Sequence, residues 1–165
     1  MISLKLDAIL VYLTTKGVEA QLQAETNQIV ILFKIGDREF PLFIRIFDGE
    51  DLLQLLVFVP CNMKKSAFGE TGRLLHLLNK ELDIPGFGLD EDASAVFYRC
   101  IIPIQNQQVD ETLFDAYLNS IQLVCKSFSP VIATVAFGSA TFEEILQKVR
   151  EQNKNQTLTQ SQLRP

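Results

Sequence analysis

The chain has 165 residues, which is enough for one domain with a single hydrophobic core. Its composition, 47% hydrophobic and 21% charged, is typical of a globular protein, and no apolar run approaches the roughly 18 to 20 residues of a membrane span. The net charge of −5 argues against nucleic acid, because phosphates favour clustered Lys and Arg. Residues 1–7 lack the pattern of a secretory signal, so we expect a cytoplasmic protein. From the apolar runs and the charge, we expect neither a membrane nor a nucleic acid as its partner.

The N-terminal half of the chain predicts one helix followed by strands. Residues 3–16 form an amphipathic pattern, with Ser3 as a candidate N-cap and Gly17 at the C-terminal stop. From Val18 onward, apolar and polar residues alternate with the period of two that is typical of a half-exposed strand. Turn residues divide residues 18–60 into four strands of an antiparallel meander. The turns fall at 26–27, 36–37 and 48–51.

Pairing the strands across these turns assigns their residues to two faces, because residues directly opposite each other on antiparallel strands share a face. One face is apolar except near its ends and is predicted to cover the core. Its predicted pairs are Ile29 with Ala24, Ile31 with Leu22, Phe33 with Phe40, Leu42 with Val57, Ile44 with Leu55 and Ile46 with Leu53.

The opposite face combines polar rows with a large apolar surface. Glu19, Lys34 and Glu39 form one cross-strand row, and Gln28, Arg45 and Gln54 form another. The same face has seven large apolar residues, more than a monomer usually leaves in water. They are Val30, Leu32, Phe43, Phe47, Leu52, Leu56 and Phe58. We predict that these seven residues bind a partner.

The C-terminal half predicts helices around a second pair of strands. The elements are a helix over 64–81, strands over 86–90 and 94–103, a helix over 110–129 and a short helix over 141–151. Gly69 and Gly72 either weaken the first of these helices or permit close packing. Pro130 either kinks or ends the long helix, and the conformation of residues 131–137 stays open. Thr141 with Glu144 forms a capping box, and the polar residues 152–165 are predicted to be disordered. Residues 1–151 then form a single domain.

The residue types that catalysis or metal binding needs are scarce. His76 is the only histidine, and an exposed or structural helix position suits it better than a catalytic one. Cys61, Cys100 and Cys125 lack zinc-site spacing and fit reduced, buried thiols. The acidic turns at 48–51 and 90–92 do not match a calcium loop and are predicted to be solvated. We therefore expect no cofactor, no metal and no enzymatic activity.

The order of elements, together with three short motifs, resembles the YbjN-like family. The motifs are Leu78-Asn79, Phe87-Gly88-Leu89-Asp90 and Val96-Phe97-Tyr98-Arg99, and the resemblance spans about residues 2–136. This family shares the fold of the type III secretion chaperones. The resemblance implies an α+β fold in which an antiparallel sheet, a four-strand meander plus a two-strand hairpin, packs against helices.

The resemblance also implies a function. Proteins of this fold bind other polypeptides without catalysis, often as homodimers, and hold extended segments against hydrophobic patches. Two hypotheses follow for this chain. In the first, the chain is a protein-binding module, chaperone-like or regulatory, whose outer sheet face holds another protein or an extended peptide. In the second, that face is a permanent homodimer interface or is covered by the helix at 141–151, and the chain is a structural subunit. An enzyme with a small-molecule pocket is the weakest alternative.

Overall fold

The computed structural model describes residues 1–47, 49 and 51–162, with the backbone alone beyond Gln152. It is an α+β fold, as predicted, with a six-stranded antiparallel sheet, a two-stranded sheet and four helices in these residues. The strands are β1 Ile2–Ser3, β2 Ala20–Gln23, β3 Gln28–Ile35, β4 Arg38–Ile46, β5 Leu52–Val59, β6 Phe87–Asp90, β7 Ala95–Pro103 and β8 Gln108–Val109. The helices are α1 Leu6–Thr15, α2 Phe68–Glu81, α3 Glu111–Ala136 and α4 Phe142–Gln162.

The strand order of the large sheet is β2-β3-β4-β5-β7-β6. The predicted meander and the predicted hairpin are therefore one sheet, joined where β7 pairs antiparallel with β5. Helix α2 connects β5 to the edge strand β6, and the chain then returns through β7 to the middle of the sheet. This connection places the second half of the chain on the same two faces as the first half.

The predicted pairing is confirmed at two of the three turns. Phe33 lies opposite Phe40 across the Gly36-Asp37 turn, and Ile44 lies opposite Leu55 across the next. At the first turn the prediction is wrong by two residues, because Ile31 pairs with Ala20 and Ile29 pairs with Leu22. The loop is four residues long there, closed by a hydrogen bond from the Asn27 amide to the Ala24 carbonyl. A shift of two residues preserves the face of each side chain.

The N-terminal segment differs from its prediction. Ser3 does not cap a helix but lies in β1, opposite Gln108, and α1 begins only at Leu6. Ile2 and Leu4, on either side of Ser3, are both buried, and the Leu4 amide donates to the Gln107 carbonyl. The period of two in these residues, with apolar side chains inward, favours strand pairing over capping.

The helices pack on one face of the large sheet. The buried side chains of α1, α2 and α3 join those of the sheet in one core cluster. Helix α3 continues through Pro130, so residues 131–136 are helical. Interrupting a helix with proline costs about 3 kcal/mol. Here Ile132, Val135 and Ala136 are fully buried beyond the proline, and their packing offsets that cost.

The final helix begins with the predicted capping box. The Thr141 amide donates to Glu144 Oε2 at 2.8 Å and the Glu144 amide donates to Thr141 Oγ1 at 3.2 Å. The Thr141 hydroxyl also donates to Glu144 Oε2, and the two hydrogen bonds from the Thr141 amide and hydroxyl lower the pKa of the Glu144 carboxyl. Helix α4 extends to Gln162, past the predicted end near Glu151, because Lys, Gln and Leu propagate a helix readily once it has nucleated. The side chains of 153–162 and all of 163–165 lie outside the described residues, and the predicted disorder of the tail stays a prediction.

A single amide side chain connects α2 to β6. Asn79 Oδ1 accepts hydrogen bonds from the amides of Gly86 and Phe87 at 3.1 and 2.9 Å, and its Nδ2 donates to the Phe87 carbonyl at 2.9 Å. On the next strand, the Tyr98 hydroxyl donates to the Ile84 carbonyl at 2.7 Å, while its ring packs against Phe87. Together these contacts fix the chain where it enters the sheet edge.

We predict that Asn79→Ala lowers the free energy of unfolding by about 2 to 4 kcal/mol, because it leaves two amides and one carbonyl of a partly buried loop without partners. Chemical denaturation monitored by circular dichroism measures the change. The control is Asn119→Ala, which removes an exposed asparagine from α3 and should change stability by less than about 0.5 kcal/mol. Equal losses in the two variants would contradict the proposed role of Asn79.

The two glycines inside α2 are not there for close packing. A Cβ atom added at Gly69 or Gly72 would meet no atom within 4 Å. Gly86 is different, because a Cβ there would overlap the backbone carbonyl oxygen of Arg99. Of the two alternatives for the α2 glycines, the weakening of the helix is therefore the one that the structure supports.

We expect Gly72→Ala to raise the free energy of unfolding by about 1 kcal/mol, because alanine restricts the unfolded chain and favours the helix. Gly86→Ala should lower it, since the added methyl group displaces backbone. Thermal or urea denaturation of both variants tests this contrast. A destabilising Gly72→Ala would mean that the open space at this position is filled by something outside the chain.

A candidate protein-binding face

The outer face is the side of the large sheet opposite the helices. All seven predicted partner-binding residues lie on it, on strands β3, β4 and β5 or just after β4. In the row across its middle, Phe43 lies opposite Val30 on one side and Leu56 on the other. Leu32 is the most open of the seven, with 56% of its surface exposed. The remaining six are half-buried.

Aromatic contacts fix the shape of this face. The rings of Phe43 and Phe58 pack edge to face with their centroids 5.8 Å apart. Edge-to-face pairs contribute about 0.5 to 1.5 kcal/mol beyond their burial. The guanidinium groups of Arg45 and Arg99 lie 5.7 and 5.6 Å from the ring centroids of Phe47 and Phe97. The face is therefore an ordered apolar surface with two cationic groups on it.

Helix α4 does not cover the outer face in the described part of the chain. Its first residue, Phe142, is buried in the core cluster, and Arg73 of α2 lies 4.4 Å from the Phe142 ring centroid. Arg73 also donates to Glu143 at 2.6 Å, and Glu70 of α2 accepts from the Phe142 amide at 2.6 Å. The second hypothesis was wrong in this respect, because α4 packs against α2. The apolar side chains at the start of α4 pack against the core cluster. The amides in the first turn of a helix lack partners within the helix, and Glu70 accepts a hydrogen bond from one of them, that of Phe142.

Strand β7 adds residues to the outer face that the prediction did not include. Phe97 lies opposite Phe58, Arg99 opposite Leu56 and Ile101 opposite Gln54. The alternation in residues 94–103 had predicted that Phe97, Arg99 and Ile101 share one face. The prediction could not include them in the site, because local alternation does not indicate which strand β7 pairs with.

Comparison with known proteins agrees with this architecture. The family model described as "Putative bacterial sensory transduction regulator", YbjN, matches residues 5–134. The chain belongs to the YbjN family. No curated protein matches it.

Two solved structures resemble this YbjN-family chain in fold. The first is YbjN, "a putative transcription regulator from E. coli", with 12% identity, a TM-score of 0.58, and 79% of this chain and 95% of that chain covered. The second is the ExsC–ExsE complex, with 18% identity, a TM-score of 0.55, and 74% and 89% covered. Both comparisons concern the fold, which is that of the secretion chaperones, as the resemblance implied.

The three motifs that suggested the YbjN family have structural roles in this chain. Asn79, Phe87 and Tyr98 make the contacts that fix the sheet edge. Gly88 lies against the ring of Phe97, where any Cβ would overlap it. The motifs therefore describe how β6 and β7 pack and do not mark a catalytic site.

The candidate catalytic and metal-binding residues do not come together in the described residues. His76 is exposed on α2, and its side chain has no hydrogen-bond or ion-pair partner among them. Asp90 accepts a hydrogen bond from the Ala93 amide at 2.9 Å, which is a turn-stabilising role. No group of three or more metal-ligating side chains occurs in the described part of the chain. Asp48 and Glu50 of the other acidic turn lie outside the described residues.

No described helix is long and apolar enough to cross a membrane.

The three cysteines are free thiols, and two of them are buried as predicted. Cys100 and Cys125 lie in the core, whereas Cys61 is half-buried. Burial raises the pKa of the Cys125 thiol to about 12 and raises the pKa of Cys100 as well. The thiolate is the reactive form, so both core cysteines should be inert in the folded protein.

We predict that iodoacetamide at pH 8 modifies Cys61 of the folded protein well before Cys100 and Cys125. The physical reason is the lower accessibility of the two core thiols, because burial raises the pKa of all three thiols, that of Cys125 to about 12. Peptide mapping by mass spectrometry over time measures the order, and the protein unfolded in guanidinium is the control, in which all three should react alike. Early modification of Cys125 in the folded protein would contradict its buried position.

Proposed function

We propose that this chain is a non-enzymatic protein-binding module, chaperone-like or regulatory, that holds a segment of another polypeptide against the outer face. The observation that supports this most is the position of the helices. The core cluster includes residues of all four helices, and the opposite face of the sheet keeps its middle row of Val30, Phe43 and Leu56 without a covering element in the described residues.

The chemistry of the outer face suits a polypeptide ligand. Its central residues are phenylalanines and leucines, and aromatic residues are enriched at the centres of protein interfaces. Burying apolar surface releases roughly 25 cal/mol per Å². An extended segment could place alternate side chains on such a face, and this is a recurring way to recognise peptides.

The comparisons support the same class of function. The family description names a regulator, and ExsC was solved in complex with ExsE. We infer for this chain a polypeptide ligand of its own, bound in the cytoplasm, and we expect neither a nucleic acid nor a membrane as the partner. The net charge of −5 supports that expectation, because nucleic acids and anionic lipids both repel an acidic protein.

The alternative is a structural subunit in which the outer face of one copy pairs permanently with that of a second. A twofold interface of this kind would be isologous and would bury the same apolar residues. Size-exclusion chromatography with light scattering distinguishes the two. A dimer that dissociates when Phe43 is replaced would favour the subunit, whereas a monomer with an open face would favour the binding module.

The double substitution Phe43→Ser with Leu56→Ser tests the proposed function. We expect the variant to fold and to lose at least tenfold in affinity for a partner isolated with the wild-type protein, because it removes the centre of the apolar face. Binding of the purified partner, measured by calorimetry, gives the affinity.

The matched control is Leu113→Ser with Leu123→Ser. These two leucines are 46% and 65% exposed on α3, so their replacement removes apolar surface away from the outer face. The control should bind like the wild type. Full retention of partners by the folded Phe43→Ser/Leu56→Ser variant would show that the outer face is not the binding site.

A further inference from the structure

Two arginines lie on the central strands of the outer face without an ion-pair partner among the described side chains. The outward positions of β4, β5 and β7 include one acid, Glu39, and two cations, Arg45 and Arg99. Glu39 pairs with Lys34 of β3 at 3.4 Å, at the hairpin end of the strands. Neither arginine makes an ion pair or a hydrogen bond with any described side chain. In a chain with a net charge of −5, the middle of the apolar face is thus locally positive.

Both arginines are held on the face. Arg45 and Arg99 are exposed, but each guanidinium lies over a phenylalanine ring. Arg45 lies over Phe47, just after β4, and Arg99 lies over Phe97 of β7. A guanidinium held against an aromatic ring keeps its N–H donors available for a carboxylate, and the ring limits how far the side chain moves. The arginines therefore offer two cationic donors, Arg99 in the row of Phe43 and Leu56 and Arg45 in the adjacent row.

We propose that the outer face selects an extended segment whose carboxylates flank an apolar residue, with Arg45 and Arg99 each binding one carboxylate. This inference rests on the proposed function and specifies the chemistry of its ligand. Charge complementarity identifies the occupant, because a basic segment would place its cations against both arginines. Nucleic acid would also bring negative charge, but it carries one charge per phosphate, and the net charge of −5 opposes such a polyanion more strongly than a segment with two carboxylates.

The sheet geometry fixes the spacing of the two carboxylates. Arg45 lies on β4 and Arg99 lies on β7, with β5 between them, and they occupy adjacent rows because Arg45 is opposite Gln54 and Arg99 is opposite Leu56. Two strand spacings and one two-residue step separate their Cα atoms by about 12 Å. In an extended segment, side chains four residues apart lie on the same side at about 13 Å. The apolar residue midway between them would then lie over β5, between Gln54 and Leu56, where Leu56 supplies the apolar contact.

The experiment uses three fluorescein-labelled synthetic peptides with neutral ends and the full-length protein. The first peptide has the core Glu-Thr-Phe-Thr-Glu, the second replaces both Glu with Lys, and the third has the core Glu-Thr-Phe-Glu, which turns one carboxylate away. Fluorescence anisotropy at low ionic strength measures their affinities. We expect the first peptide to bind at least tenfold more tightly than the second, and more tightly than the third.

The variants test the two arginines separately. Arg45→Gln and Arg99→Gln should each weaken the first peptide by about threefold, and the double variant by about tenfold, with smaller differences at high salt. Arg150→Gln removes the same charge from α4 and should have no effect. Arg45→Glu with Arg99→Glu should reverse the preference towards the Lys peptide.

Several results would overturn the inference. They are equal binding of the Glu and Lys peptides, no change in the double Gln variant, binding of none of the peptides, and arginine-dependent binding of an oligonucleotide in place of the Glu peptide. If both charged peptides bind equally and both are lost in Phe43→Ser/Leu56→Ser, the acidic preference is wrong while the outer face remains the binding site. If that variant also retains its partners, the proposed function is wrong as well.

Discussion

The structure depends on the fact that a β-sheet has two faces and that the described helices pack on one of them. Alternation along each strand places Ile44, Leu55 and Cys100 under the helices, and it places Phe43, Leu56 and Arg99 on the other side. Because every strand contributes to both faces, the core cannot be built without also building the outer face. The fold requires this second face, but it does not require that the residues on it are apolar. Their apolar character is a property of the sequence.

The edge of the sheet at β6 shows how the chain makes the six strands into one unit. Between α2 and β6 the chain runs through residues 82–86 as an irregular segment, and Asn79 Oδ1 accepts from the amides of Gly86 and of Phe87, the first residue of β6. Gly86 in this segment and Gly88 in β6 approach Arg99 and Phe97 more closely than a Cβ would permit. Strand β7 pairs with β6 on this side and with β5 on the other, and it supplies Arg99 to the outer face.

The outer face combines a large apolar surface with two cationic side chains. Its phenylalanine and leucine side chains favour burial, whereas Arg45 and Arg99 stay exposed above aromatic rings. A purely apolar face would favour any hydrophobic segment or a second copy of the chain, and the arginines add selection by charge. The open alternative of a homodimer is disfavoured by the same residues, unless the two copies are offset so that their arginines do not meet.

Local sequence determined the elements, because hydrophobic periodicity and turn residues act over a few positions. It predicted the meander, the two faces, the pairing at two turns and the seven apolar residues of the outer face, and the capping box at Thr141. Tertiary structure decided the contacts between residues far apart in the sequence, which local patterns do not predict. It paired Ser3 with Gln108, carried α3 through Pro130 because Ile132 and Val135 are buried beyond it, and docked α4 on α2. It also joined β7 to β5, and this long-range pairing brought Phe97, Arg99 and Ile101 to a face that the sequence had described only in part.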